Sequence, residues 1–237
     1  MKLITFDFWN TLFLDQHEGI RHQKRIAFAH ERICRHHPVI AASQVAAAFQ
    51  VAHGVYLGQW ESRKSYPMHL HFRELLRNLD LEIPAEDFDS VVDFFESVLL
   101  DHPPIPVSGA IDSVRFAAKR VKVGLISDTG YTPGRTLRKI METHDLLNSF
   151  SAFSFSSETG LLKPNRQAFL TILDELKIRP QEAVHIGDLE ETDIIGAKEA
   201  GMKAIKFIGA NPSSTRDSIA DAVIDDLNEL PRVLDEL

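Results

Sequence analysis

The 237-residue chain has a single cysteine, Cys34, so it cannot close a disulfide on itself and its fold does not depend on an oxidising compartment. No run approaches the roughly 18 apolar residues of a membrane span. No basic segment followed by an apolar stretch opens the chain, which begins at once with the strand-forming Lys2-Leu3-Ile4-Thr5-Phe6. A cytoplasmic protein with no membrane partner is expected. Positive charge is also short: 26 Lys and Arg stand against 34 Asp and Glu, a net of −8. This argues against nucleic acid as the main partner, because its phosphates demand clustered Lys and Arg. A small anion is not excluded, since a metal or one basic group can reverse the field inside a cleft. There is no internal repeat or low-complexity tract, and hydrophobic residues make up 44%, enough for a sizeable core. Cys34 lies in an apolar helical pattern and reads as a small core residue.

Short β-rich runs recur: Leu3 to Phe6, Val121 to Ile126, Ala152 to Phe155, Ala183 to Ile186, Ala204 to Ile208 and Ala222 to Ile224. Helical patterns separate the later ones, over Ala110 to Arg120, over Thr132 to Leu147, along Ala168, Phe169, Ile172 and Leu173, and from Ile194 to a stop at Gly201. Strands alternating with helices imply an α/β fold, a Rossmann-like parallel sheet covered on both faces. Residues 14–101 differ. They carry only helical patterns, around Ile20 to Cys34, Ser43 to Trp60, Leu70 to Leu79 and Glu86 to Leu100, punctuated by Pro38, Pro67 and Pro84. The expected organisation is a core over 1–13 and 102–237 with a helical insert over 14–101. The Pro-rich return, His102 to Val107, is a stiff exit. Gly209 to Thr215, with Asn211-Pro212, reads as a loop, and Asp225 to Leu237 as a surface helix.

Ligands of open parallel sheets sit beyond the carboxyl ends of the strands. Asp7, Ser127 with Asp128, Lys163, and Asp188 followed by Asp193 all fall after such ends. Topology alone therefore gathers carboxylates, a hydroxyl and an ammonium into one crevice. Clustered carboxylates repel unless a cation joins them, and oxygen donors without Cys or His select a hard ion, best Mg²⁺. In such a site Asp7 can attack a phosphoryl group and form an aspartyl-phosphate that water then cleaves. Ser127 and Lys163 can hold the phosphoryl oxygens as charge builds.

Four elements in order carry a resemblance: Phe6-Asp7-Phe8-Trp9-Asn10-Thr11-Leu12, Leu125-Ile126-Ser127-Asp128-Thr129-Gly130, Gly160-Leu161-Leu162-Lys163-Pro164, and Ile186-Gly187-Asp188 through Asp193 to Gly201-Met202. Together they resemble the haloacid dehalogenase-like (HAD) superfamily, whose cap of the first type the helical insert is similar to. The resemblance implies Asp7 as nucleophile and metal ligand, the backbone carbonyl of Trp9 on Mg²⁺, and Asp188 on the metal. Asp193 would support the metal or orient Lys163, and Ser127 and Lys163 would bind phosphate. Thr11, Asp128, Thr129 and Trp9 are candidate substrate contacts. A phosphatase acting on a small phosphorylated metabolite is expected, as monomer or homodimer, with cap hinges near Phe13 to Asp15 and Asp101 to Pro106.

Position 9 departs from the family's pattern. Phosphatases of this kind carry there an Asp that protonates the leaving group and activates water. An indole N–H cannot replace it. Three readings stay open: a phosphatase for good leaving groups such as acyl phosphates, or one that takes its acid from elsewhere, with Asp128 a candidate; a metal-free 2-haloacid dehalogenase, whose branch has an aromatic residue at this position but lacks the retained Gly187-Asp188; and a ligand-binding member without turnover. Lys24 and Lys64 are the insert lysines open to Schiff-base chemistry, and neither is placed where such chemistry expects one. Arg21, Lys24 and Arg25 read as a solvated helix face, and the histidine pairs His36-His37 and His69 with His71 as solvated residues. Asn10 stands where the family prefers Gly, and Asn tolerates the positive φ that the loop needs.

Overall fold

Four successive buried residues, Leu3–Phe6, form strand β1 in the computed structural model, which describes residues 1–211 and 215–237. A strand buried on both faces belongs at the centre of a parallel sheet. Its partners are β4 (Lys122–Ser127), where Phe6 lies opposite Leu125, and β6 (Ala183–Gly187), where Phe6 lies opposite Ile186. With β5 (Ala152–Phe155), β7 (Lys203–Phe207) and β8 (Ala222–Ile224), the six strands are ordered β5-β4-β1-β6-β7-β8, all parallel. Numbered by appearance within the sheet this is 3-2-1-4-5-6, the doubly wound order. The winding reverses between β1 and β6, so the crevice lies at their carboxyl ends, directly before Asp7 and Asp188. Two further short strands, β2 (Phe13–Leu14) and β3 (Ile105–Pro106), pair antiparallel as a ribbon.

Outside the insert run the helices α5 (Ala110–Ala118), α6 (Gly134–Thr143), the single turn α7 (Ser156–Thr159), α8 (Arg166–Leu176), α9 (Ile195–Glu199) and α10 (Leu230–Glu236). Phe169, Ile172 and Leu173 of α8 pack with Leu3, Ile126 and Ala197 in one buried cluster. The helix expected to run unbroken from Thr132 to Leu147 ends at Thr143, because Asp145 turns into positive φ at 53° and a 3₁₀ turn follows over Leu147–Ser149. At the C-terminus Leu227, Leu230 and Val233 are buried, as the leucine-lined face requires. Pro212 of the expected 209–215 loop, with Ser213 and Ser214, lies outside the described residues.

The insert forms four helices, α1 (Glu18–Cys34), α2 (Ala42–Glu61), α3 (Met68–Leu79) and α4 (Ala85–Ser97), with Pro67 and Pro84 at the N-caps of the last two. Ile33, Val45, Phe49, Phe72, Leu75, Val91 and Phe95 make its own apolar core. By internal contacts the chain divides into one unit of Met1–Gln16, Pro104–Asp128 and Arg138–Leu237 and a second of His17–Pro103 and Thr129–Leu137. The last segment is tied into the helical unit by the Tyr131 hydroxyl, 2.6 Å from His53 Nδ1, and by Arg135, which pairs with Asp93 at 2.8 Å and Glu96 at 2.5 Å. Among the described residues no helix is long and apolar enough to cross a membrane.

Three expectations for the insert are corrected. Arg21 and Arg25 are not solvated: each is buried, because steps of four place them on one stripe with Ala29 and Ile33. Arg25 Nε donates to the Phe95 carbonyl at 3.0 Å and its guanidinium lies 4.7 Å from the Tyr131 ring centre, while Arg21 donates to the His102 carbonyl at 3.1 Å. Cys34 is half-buried rather than core, its thiol 3.2 Å from His30 Nε2. His71 is buried, with Phe49 edge-on at 4.9 Å and Tyr131 at 5.1 Å.

Burial, followed by the charges of His53, Arg25 and His22, pushes the His71 imidazole down to about 3 from its usual 6.5. The unfolded chain therefore binds a proton below about pH 6.5 that the native chain refuses, and stability is complete above that pH and falls as pH drops toward 3. At about 1.4 kcal/mol per pH unit, lowering the pH from 7.5 to 5 is expected to cost about 2 kcal/mol through this residue. Urea unfolding of wild type and His71→Phe at both pH values checks this: the variant should lose less on acidification, and equal losses would clear His71 of the effect.

Candidate active site

The carboxyl end of β1 is closed by a tight backbone loop. Leu12 and Phe13 amides donate to the Phe8 carbonyl at 3.0 and 2.9 Å, and the Asn10 amide to the Phe13 carbonyl at 2.8 Å. Asn10 takes the positive φ this needs, 54°. Phe8 stacks on Phe13 at 4.7 Å, and half-buried Trp9 meets Phe8 edge-on at 4.8 Å, so the indole is braced. The Asp7 amide extends the ladder to β6 by donating to the Ile186 carbonyl at 2.9 Å.

From there four buried side chains converge. Lys163 Nζ lies 2.6 Å from Asp7 Oδ1 and 2.5 Å from Asp193 Oδ1. Carboxylate oxygens of Asp7, Asp188 and Asp193 all lie within 4.8 Å of one another. Lys163 enters on the loop between α7 and α8, and that loop is tied down by the Lys163 amide, which donates to Asp128 Oδ1 at 3.0 Å. Asp193 sits in a π-helical turn, Glu190–Ile194, folded back under the end of β6. Ser127 ends β4, buried, and among the described residues its hydroxyl has no hydrogen-bond partner; the same holds for buried Thr11 in the loop after β1. A buried hydroxyl without a partner is costly, so both remain open to a polar ligand. Of the expected site residues, Asp7, Lys163, Asp188 and Asp193 thus meet directly, Ser127, Asp128, Thr11 and Trp9 lie on the loops and strand ends around them, and Thr129 falls in the other unit.

Electrostatics follow from three carboxylates sharing one ammonium. Burial alone would lower the Lys163 ammonium, but Asp193 and Asp7 outweigh it and hold it above its usual value. Burial also opposes ionisation of Asp193, yet Lys163 and the His185 hydrogen bond keep its carboxyl below the ordinary range. Asp7 receives less of that ammonium: burial, with the charges of Asp193 and Asp188, pushes its carboxyl well up. Asp188 is pushed up to about 6, by burial first and Asp193 second.

Residues 1–201 match the haloacid dehalogenase-like hydrolases. The chain belongs to that family. It is 31% identical over 170 residues to a glyceraldehyde 3-phosphate phosphatase of Pyrococcus furiosus, a match covering 70% of this chain and 69% of that protein. It is 24% identical over 234 residues to the bovine haloacid dehalogenase-like hydrolase domain-containing protein 3, covering 94% and 87%. In fold it is similar to a HAD phosphatase from Thermococcus onnurineus, with a TM-score of 0.68 at 22% identity over 99% of this chain and 98% of that one.

The acids of this HAD hydrolase fit a divalent ion. Three buried carboxylates outnumber one lysine, oxygens are the available donors, and a cation would stabilise ionised Asp7 and Asp188 where burial now opposes it. Sequence reasoning missed three neighbours. His185 on β6 is fully buried, its Nε2 3.2 Å from Asp193 Oδ1 and its Nδ1 2.9 Å from the Thr5 hydroxyl. Asn211 Nδ2 donates to Asp188 Oδ2 at 2.8 Å. Thr5 and His185 were hidden inside apolar strand runs, and Asn211 in an ordinary turn signal. β6 is buried at every position, so no polar alternation marked His185.

Gly187 is fixed by a close approach. A Cβ there would lie 2.3 Å from Asp193 Cγ and 2.8 Å from its Oδ1. Asp193 cannot swing clear, because its Oδ2 also accepts the Leu189 amide at 3.0 Å. Gly187→Ala is expected to cost about 1–3 kcal/mol of stability and to lower turnover by more than about tenfold through misplaced Lys163. Thermal melts and initial rates check it, and an unaltered rate would show that Asp193 can move freely.

Proposed function

We propose that the protein is a Mg²⁺-dependent phosphatase of small phosphorylated metabolites, working through an aspartyl-phosphate on Asp7. The observation that carries this is the set of three buried carboxylates around Lys163 at the carboxyl end of β1 and β6. The phosphatase name of its archaeal relative supports the substrate class. Lys163 holds one Asp7 oxygen, which leaves the other to attack phosphorus in line with the departing group. The Ser127 hydroxyl and the Lys163 ammonium take the equatorial phosphoryl oxygens. Water then attacks the acyl phosphate, the P–O bond to Asp7 breaks, and free carboxylate and inorganic phosphate result. Asp7 and Asp188, with the Trp9 carbonyl, are the groups assigned to Mg²⁺; Asp193, whose oxygens already meet Lys163, His185 and the Leu189 amide, serves Lys163 first. The ion would screen these acids from the anionic substrate. The residues flanking Asp7 supply no acid at position 9, and Asp128 Oδ1 is engaged as an acceptor, which favours substrates whose leaving group needs no proton. The helical unit is assigned as the cap that chooses among them.

Colorimetric phosphate release across acyl phosphates, sugar phosphates and nucleotides, with Mg²⁺ and with chelator, tests this reading. Mg²⁺-dependent release with acyl phosphates ahead of esters is expected. Silence on every compound would overturn it, and chloride release from a 2-haloacid without metal would replace it with the dehalogenase.

A further inference from the structure

We propose that His185 is a positioning residue of this site, acting through Asp193 on Lys163, and that Thr5 fixes the ring tautomer on which its action depends. The inference rests on the phosphoryl-transfer reading of Asp7 and Lys163. Thr5 and His185 are opposite one another in the β1–β6 register and share a sheet face. Both are fully buried. From them runs an unbroken polar chain: Thr5 Oγ1 to His185 Nδ1 at 2.9 Å, His185 Nε2 to Asp193 Oδ1 at 3.2 Å, Asp193 Oδ1 to Lys163 Nζ at 2.5 Å, and Lys163 Nζ to Asp7 Oδ1 at 2.6 Å.

Donor and acceptor rules give the chain one sense. A carboxylate can only accept, so the ring places its N–H on Nε2. Nδ1 then carries a lone pair, and the Thr5 hydroxyl donates into it; the alternative acceptor for that hydroxyl, the Val184 carbonyl, is farther away at 3.4 Å. The ring plane is set by Phe169, which meets it edge-on at 5.2 Å and 90°. Asp193 Oδ1 is thus held by two donors on different elements, the ring beneath and the ammonium above. Without the ring, Oδ1 keeps the lysine as its donor, and the carboxylate is held elsewhere through Oδ2 on the Leu189 amide, about which it can turn. Lys163, which already meets Asp7 at 2.6 Å, then loses the fixed counterweight on its other side and is drawn away from where the phosphoryl oxygens would sit. A buried histidine that only filled space between β6 and α8 would need no such alignment.

The consequence is a selective loss of turnover. His185→Leu is expected to lower kcat by about 10- to 100-fold with little change in KM. His185→Gln, whose amide N–H can reach the same carboxylate, should recover most of it, and Thr5→Val should fall between. Independently of activity, ¹⁵N–¹H correlation spectra of the metal-free wild type should show the His185 ring proton on Nε2 alone, and Thr5→Val should weaken that preference. Equal kcat in folded His185→Leu and His185→Gln overturns the proposal, as does a ring protonated on Nδ1 or on both nitrogens. A wild type that releases phosphate from nothing sinks the function beneath it instead, and the ring proton still decides whether the chain of hydrogen bonds exists.

Discussion

Asp7→Asn is expected to reduce Mg²⁺-dependent phosphate release by about 10⁴-fold or more while leaving the protein folded. The amide oxygen can still accept from Lys163, which stands 2.6 Å from Asp7 Oδ1 in the native chain. What disappears is the anionic oxygen that the proposed mechanism bonds to phosphorus. Stability should hold or rise in the metal-free protein, because burial and the charges of Asp193 and Asp188 already press Asp7 toward its neutral form. A neutral amide answers that pressure permanently. Two measurements separate the chemistry from the fold: thermal melting with and without Mg²⁺, and acid-quench trapping of phosphorylated protein. Wild type should show the phosphorylated species and a Mg²⁺-induced rise in Tm; the variant should show no adduct and a smaller rise. Retained turnover would remove Asp7 from the mechanism.

The sheet was readable because its strands obey local rules. Leu3 to Phe6, Ala152 to Phe155 and Ala222 to Ile224 are apolar or β-branched runs bounded by turns, and each forms a strand over those residues. The insert was readable from helical periodicity and proline punctuation, with Pro67 and Pro84 standing at helix starts. What failed was the treatment of charge as a sign of solvent. Arg21 and Arg25 belong to the same four-residue stripe as Ala29 and Ile33, so position predicted burial while side-chain type argued against it. Position prevailed because long side chains can bury their stems and find backbone carbonyls, as both arginines do. The tertiary bonds of Tyr131 and Arg135, which draw residues 129–137 into the helical unit, leave no trace in periodicity.

In the candidate site, the sequence marked the carboxylates that follow strand ends and left the polar residues in the middle of β1 and β6 unmarked. Asp7 and Asp188 are exposed to inference because a carboxylate ends an apolar run in each case. Thr5 and His185 interrupt such runs in the middle, where a single polar residue ordinarily signals a satisfied core group. Only the register of β1 against β6 shows that they face each other, and only the fold of the Glu190–Ile194 turn brings Asp193 to them. Register and turn geometry depend on long-range pairing, which spacing along the chain does not encode.

Trp9→Asp is the change expected to raise activity most. If the missing general acid limits ester hydrolysis, restoring a carboxyl group at position 9 supplies about 10²–10⁴ in rate. The loop can accept it. Its closure rests on backbone bonds from Asn10, Leu12 and Phe13 and on the Phe8–Phe13 stack, none of which uses the indole. The substitution gives up the edge contact of Trp9 on Phe8, at 4.8 Å, worth about 1 kcal/mol. Position 9 is half-buried, so the new carboxyl keeps part of its hydration and can both give and take a proton. The gain should depend on the leaving group: large for alkyl phosphates, small for acyl phosphates, which depart without help. Initial rates on a matched ester and acyl phosphate pair, for wild type and variant, read that contrast directly. A gain on both alike would mean that Trp9 blocks access rather than lacking an acid. No gain on either would move the limit from position 9 to the cap or to Asp128, whose carboxylate is committed to the Lys163 amide at 3.0 Å.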